Sequence, residues 1–190
     1  VGAVTTATEQ EIGETTEGIL TFAAATADIT LASSTIGTAA NALKAVSATV
    51  TDASNDANAT ATFAGAIHAS TVNATATADN GSGIKDTIAF SGAVTATTFN
   101  ALGAGTVTLA EDLTAAVVFG ANSNTTGTIS VAADKKIVGA VTTAITNEGI
   151  LTFANSTTDT TLVSGAVGVA ATPKVLHKVN AGAATGVTAT

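Results

Sequence analysis

The chain has 190 residues, a mass of 18.2 kDa and a formal net charge of −8. Ala and Thr supply 82 residues, there is no Cys, Met, Trp, Tyr or Arg, and charged residues are 11%, against roughly 25% in ordinary soluble domains. These figures exclude disulfides and thiolate metal sites, argue against conventional acid–base or nucleophilic catalysis, and disfavour nucleic acid or an anionic membrane surface as a partner.

The length suits one domain. Large side chains are scarce, so a thin architecture burying small β-branched residues in layers fits better than a thick core. A mean hydropathy of +0.46 with sparse charge argues against disorder. No apolar run reaches 18 residues, so no transmembrane helix is expected. No signal peptide opens the chain, and the absence of methionine leads us to expect a processed or excised chain.

In chain order, Val1–Ala7 reads VGAVTTA and is followed by an acidic stretch, 8–17, carrying Glu9, Glu11, Glu14 and Glu17. That cluster reads as a solvated loop, with divalent-cation binding as the functional alternative. Gly18 then opens GILTFAAATADITLASSTIG, the first of several similar units. Residues 38–46 (TAANALKAV) have helix propensity, while 41–48 align with the β-branched KVLHKVNA of 174–181, so helix and strand both remain open. Stretches 51–60 and 79–83 read as loops. Asp52, Asp56 and Asp79 in them are weak calcium candidates; Asx turns explain them as well, and neither EF-hand spacing nor the glycine-rich nonapeptide is present.

Ala61 and Asp86 open looser units. Gly105, Gly127 and Gly149 open clear ones, 22 residues apart. Each unit reads as strand, polar turn, strand, turn. The first strands include Thr128–Val131 and Ile150–Phe153, whose alternation is clean. For Thr106–Leu109 we expect a local bulge or burial on both faces. The turns fall at 110–112, 133–136 and 155–158, and the second strands at 116–119 and 137–141. A longer repeat overlays the short one: VGAVTTA recurs at 138–144 and EGILTFA occurs at both 17–23 and 148–154, so that 1–48 resembles 138–181.

These patterns predict an all-β fold: a right-handed parallel β-solenoid (β-helix) with coils of about 22 residues, filling 1–190 as a single segment. Eight or nine coils at about 4.8 Å would make a rod roughly 40 Å long. A β-sandwich is the alternative fold.

GILTFA (18–23, 149–154), GTVTLAEDLTA (105–115), GTISVAADKKIVGAVTT (127–143) and IGTAANALKAVSA (36–48) resemble the passenger repeats of bacterial autotransporters, most of all the large rickettsial outer-membrane surface antigens. The composition is also similar to that of surface-layer proteins. The resemblance implies a secreted β-helical stalk displayed on a cell surface, serving adhesion or a protective coat.

No catalytic residue, cofactor site or firm metal site is expected. His68 and His177 read as surface imidazoles in different repeat contexts. Sequons at Asn58, Asn73, Asn80, Asn124 and Asn155 are unsurprising where Ser and Thr are so common. Ice binding would need a regular T-x-T array on one face of successive coils; the threonine positions are not that regular, so ice binding is not expected. The expectation is therefore a non-catalytic structural protein, extracellular on the bacterial cell surface. It would self-associate into a filament, sheath or surface layer; an adhesin stalk with a host-cell or surface ligand is the alternative.

Overall fold

The computed structural model describes residues 16–51, 58–78, 85–120, 126–168 and 174–182, with 185, 188 and 190. Fourteen parallel-paired strands alternate between two sheets, and no helix occurs among the described residues. Sheet I holds β1 (Thr16–Thr21), β3 (Ala42–Val50), β5 (Ile67–Ala76), β7 (Val94–Leu102), β9 (Leu113–Phe119), β11 (Ile137–Val138) and β12 (Val141–Thr143). Sheet II holds β2 (Ile29–Ala32), β4 (Thr60–Phe63), β6 (Thr87–Phe90), β8 (Thr106–Leu109), β10 (Thr128–Val131), β13 (Glu148–Phe153) and β14 (Leu176–Asn180). The chain is a β-solenoid of about five turns.

Alternation builds both walls. β4, β6, β8 and β10 are each four residues long, with their second and fourth side chains buried and their first and third half-exposed. Val107 and Leu109 thus point inward together and Thr106 and Thr108 outward, with no bulge: plain period-two geometry suffices where the sequence reading expected an irregularity. The possible helix at 38–46 is likewise overturned. Residues 42–50 form β3, because pairing to β1 and β5 on both sides outweighs the helix preference of isolated alanines. The second strand expected at 137–141 is split by Gly139, whose φ of +147° only glycine adopts readily and whose added Cβ would lie 2.1 Å from the Ala115 carbonyl oxygen.

Coil length varies widely while register, among the described residues, shifts only at Thr30/Ala32 and Thr95/Thr98. Paired residues lie 22 positions apart from Val107 to Ile129, 19 from Ile88 to Val107, 27 from Ala61 to Ile88 and 32 from Ile29 to Ala61. Among the described residues each sheet holds seven strands, and in sheet I β11 and β12 both pair with β9 and share one coil, so the coils are fewer than the eight or nine expected from a uniform 22. Turns absorb the difference.

The core is a set of columns, each residue resting on its equivalent in the next coil. Sheet II contributes Phe63, Phe90, Leu109, Val131 and Phe153 in one column, and Ala61, Ile88, Val107, Ile129 and Leu151 in another. Sheet I contributes Val46, Val72, Phe99, Val117 and Val141. Its Ala48–Ala74–Ala101 column leaves room for the rings opposite. Phe63 and Phe90 stack at 5.1 Å with their planes 6° apart, and Phe99 meets Phe90 edge-on at 5.5 Å.

Phe90 is 2% exposed and sits between both neighbours. Phe90→Ala should therefore cost about 3–5 kcal/mol by leaving a cavity that rigid sheets cannot close; urea denaturation of the two proteins measures it.

Candidate interaction surfaces

The outer face of sheet II is a lattice. Strand pairing puts Thr60, Thr87, Thr106 and Thr128 in one column. Thr62, Ala89, Thr108, Ser130 and Thr152 form the next. Register is unbroken from β4 to β13, whereas a shift interrupts β2 against β4 at Thr30/Ala32. Among the described residues no side-chain hydrogen bond engages the hydroxyls of Thr62, Thr87, Thr106 or Thr108. Thr128 donates to the Thr126 carbonyl at 2.9 Å and Asn180 donates to Thr152 Oγ1 at 3.1 Å. A cavity of about 410 Å³ lies at the β2 end of this face, lined by Asp28, Ile29, Thr30, Thr60 and Thr62. The threonines that look irregular along the chain are regular in space.

The outer face of sheet I carries a polar column. Asn73 donates through Nδ2 to Ser47 Oγ at 3.1 Å and accepts at Oδ1 from Asn100 Nδ2 at 2.8 Å. Their register is Ser47, Asn73, Asn100, so each amide is satisfied by the coil beside it. Further along this face a cavity of about 280 Å³ is lined by His68, Ser70, Thr95 and Thr97 with alanines. His68 Nδ1 is buried there with no hydrogen-bond partner. No carboxylate lines the cavity, so it holds no acid–base pair with the imidazole.

Aspartates tie the turns of successive coils together. Asp28 accepts from the Thr60 N–H at 2.8 Å, Asp86 from the Ala59 N–H at 3.2 Å, Asp112 from the Lys136 N–H at 3.1 Å and Asp159 from the Thr188 N–H at 2.8 Å. Asp134 does most. Its Oδ1 accepts the N–H groups of Thr157 and Thr158 at 2.7 and 2.9 Å, and both threonine hydroxyls donate to its carboxylate. The Thr157 hydroxyl, followed by the Thr158 and Thr157 N–H groups, lowers the Asp134 pKa to about 2. Beside it, the Glu111 carboxylate bonded to Lys135 raises the lysine pKa. Burial lowers that of Lys85, whose ammonium donates to the Thr126 carbonyl.

The sequence-derived sites do not converge. Asp52, Asp56 and Asp79 lie outside the described residues, as do Glu9, Glu11 and Glu14; Glu17 belongs to β1. Among the described residues no group of three His, Asp or Glu is placed to hold a metal ion. His68 is on β5 in sheet I. His177 is on β14 in sheet II, its Nδ1 3.1 Å from Asn147 Oδ1. Asn58 and Asn155 are exposed; the Asn73 amide is engaged in its column; Asn80 and Asn124 fall outside the described residues. The sequence reading missed Glu148, which aligns with Glu17, is 8% exposed and leaves Oε2 without a partner.

Comparison with known proteins returns no match: no family model, no curated protein and no solved structure matches the chain. No helix among the described residues is long and apolar enough to cross a membrane.

The lowered Asp134 pKa fixes a pH dependence. An unfolded aspartate titrates near 3.9, so the contribution of these hydrogen bonds is complete above about pH 4 and is lost as pH falls through about 2. Thermal unfolding should show stability declining across that window, and Asp134→Ala should be less stable at pH 6 with a shallower acid decline.

Proposed function

We propose that the chain is a non-catalytic structural protein of the bacterial cell surface, whose coils stack between copies to build a filament, sheath or surface layer. One observation carries this reading: the same heptapeptide forms a parallel-paired strand in either sheet. In EGILTFA at 17–23, Glu17, Ile19, Leu20 and Thr21 pair with Leu43, Ala45, Val46 and Ser47 in sheet I. In EGILTFA at 148–154, Glu148, Ile150, Leu151 and Thr152 pair with Leu176, Lys178, Val179 and Asn180 in sheet II. The two glycines even share a backbone conformation, φ +73° at Gly18 and +80° at Gly149.

The coil-to-coil interface is therefore generic. It is made of backbone ladders that accept differing side-chain partners, and this strand is taken up by either sheet. Sheet edges of this kind are templates for a further chain. A non-catalytic role fits the same picture, because both histidines and the turn aspartates are occupied by, or isolated within, the scaffold.

An adhesin stalk that mediates attachment is the second reading, favoured by the resemblance of GILTFA and GTISVAADKKIVGAVTT to autotransporter passenger repeats.

Electron microscopy and fibre diffraction of the purified chain over a concentration series separate the two. Assembly predicts filaments or sheets that lengthen with concentration and diffract with an axial repeat of about 4.8 Å. Particles that remain single short rods up to the solubility limit would remove self-assembly and leave the stalk.

A further inference from the structure

We infer that the outer face of sheet II is an ice-binding surface. The inference begins with a two-dimensional repeat. Thr60, Thr87, Thr106 and Thr128 follow one another from strand to strand, and Thr62, Thr108, Ser130 and Thr152 follow in the parallel column, which Ala89 interrupts between Thr62 and Thr108. Neighbouring strands are about 4.8 Å apart and residues two apart along a strand about 6.6 Å, so the hydroxyls define a nearly rectangular net. The prism face of hexagonal ice repeats its oxygens on a rectangular net whose short side is close to the strand spacing and whose long side is somewhat greater than the step along a strand.

An ice plane is flat, and a twisted sheet would lose the match after a strand or two. Sheets ordinarily rotate by about 20–25° from strand to strand. Flat sheets are held by side-chain ladders, and the column directly behind the lattice contains one: the Phe63 and Phe90 rings of adjacent strands stack at 5.1 Å. Register runs without a shift through all five strands from β4 to β13. That ladder lies on the inner face, independent of the threonines on the outer one.

The side chains suit water that is already half ordered. No charged residue occupies either column from Thr60 to Thr152; the charges nearest the lattice are at its margins, the Lys85 ammonium 3.5 Å from Thr128 Oγ1 and Asp28 beside Thr60 and Thr62. Thr62, Thr87, Thr106 and Thr108 offer hydroxyls with no described protein partner. Threonine χ1 is restricted by its branched Cβ, so the hydroxyl and methyl positions are set before ice arrives. The patch has clear ends: Ile150 replaces the hydroxyl in the first column, and the register shift at Thr30/Ala32 breaks the lattice at β2.

This inference does not rest on assembly, which uses the sheet edges and leaves this face free, so each can fail without the other. The test is the growth of single ice crystals in a nanolitre osmometer with the purified chain. Wild-type protein should facet the crystals and open a gap between melting and freezing. Thr87→Lys and Thr108→Lys should each shrink that gap several-fold. Thr114→Lys, on the exposed outer face of sheet I, should leave it unchanged. Circular dichroism and melting curves must show all four proteins equally folded; if either lattice lysine unfolds the chain, Thr108→Tyr takes its place. Rounded crystals with no gap at millimolar folded wild type would overturn the inference. So would equal loss from Thr114→Lys, or retention on crystalline polysaccharide but not on ice.

Discussion

Everything in this molecule depends on parallel strands stacking in register, each coil resting on an equivalent coil about 4.8 Å away. That single spacing decides which residues can be used. A side chain packs on its register equivalents above and below, so apolar columns inside and Thr-rich columns outside replace the mixed jigsaw of a globular core. The Ala48–Ala74–Ala101 column stands opposite the large rings because a two-walled interior has little depth to share. Polar groups obey the same rule: Asn100 satisfies Asn73, Asn73 satisfies Ser47, and turn aspartates take up N–H groups of the adjoining coil.

Much of this was legible in the residues. The alternation in Thr128–Val131 and Ile150–Phe153 states which side chains are buried, and both strands fold as their patterns require. The β-solenoid follows from repeating such units. What could not be read was the alignment between coils whose lengths differ. Sequence spacing from Ala61 to Ile88 is 27 and from Ile88 to Val107 is 19, yet both pairs sit side by side. A period search penalises such variation; the strands ignore it, because the extra residues are spent in turns. The threonine lattice was invisible for that reason and no other.

Two further gaps have local causes. Asn73 and Asn100 looked unremarkable because a separation of 27 positions hides a 2.8 Å contact. Asp134 looked like one polar turn residue among several, and its fourfold set of hydrogen-bond donors comes from Thr157 and Thr158, a whole coil later. A turn aspartate is read from its own neighbours in sequence; the partners that matter here are neighbours along the rod.

The placement of the two EGILTFA copies has a consequence for how such chains change length over generations. Five steps along sheet I and a further half turn separate the first copy from the second. Unequal crossing-over between the matching gene segments would delete or duplicate a half-integral number of turns. The joined product would still stack, since the heptapeptide is accepted by both walls. Beyond the junction, however, the walls would exchange places, and a face continuous on one side of the rod would resume on the other. Recombination at this repeat therefore alters which way a surface points as well as how long the rod is.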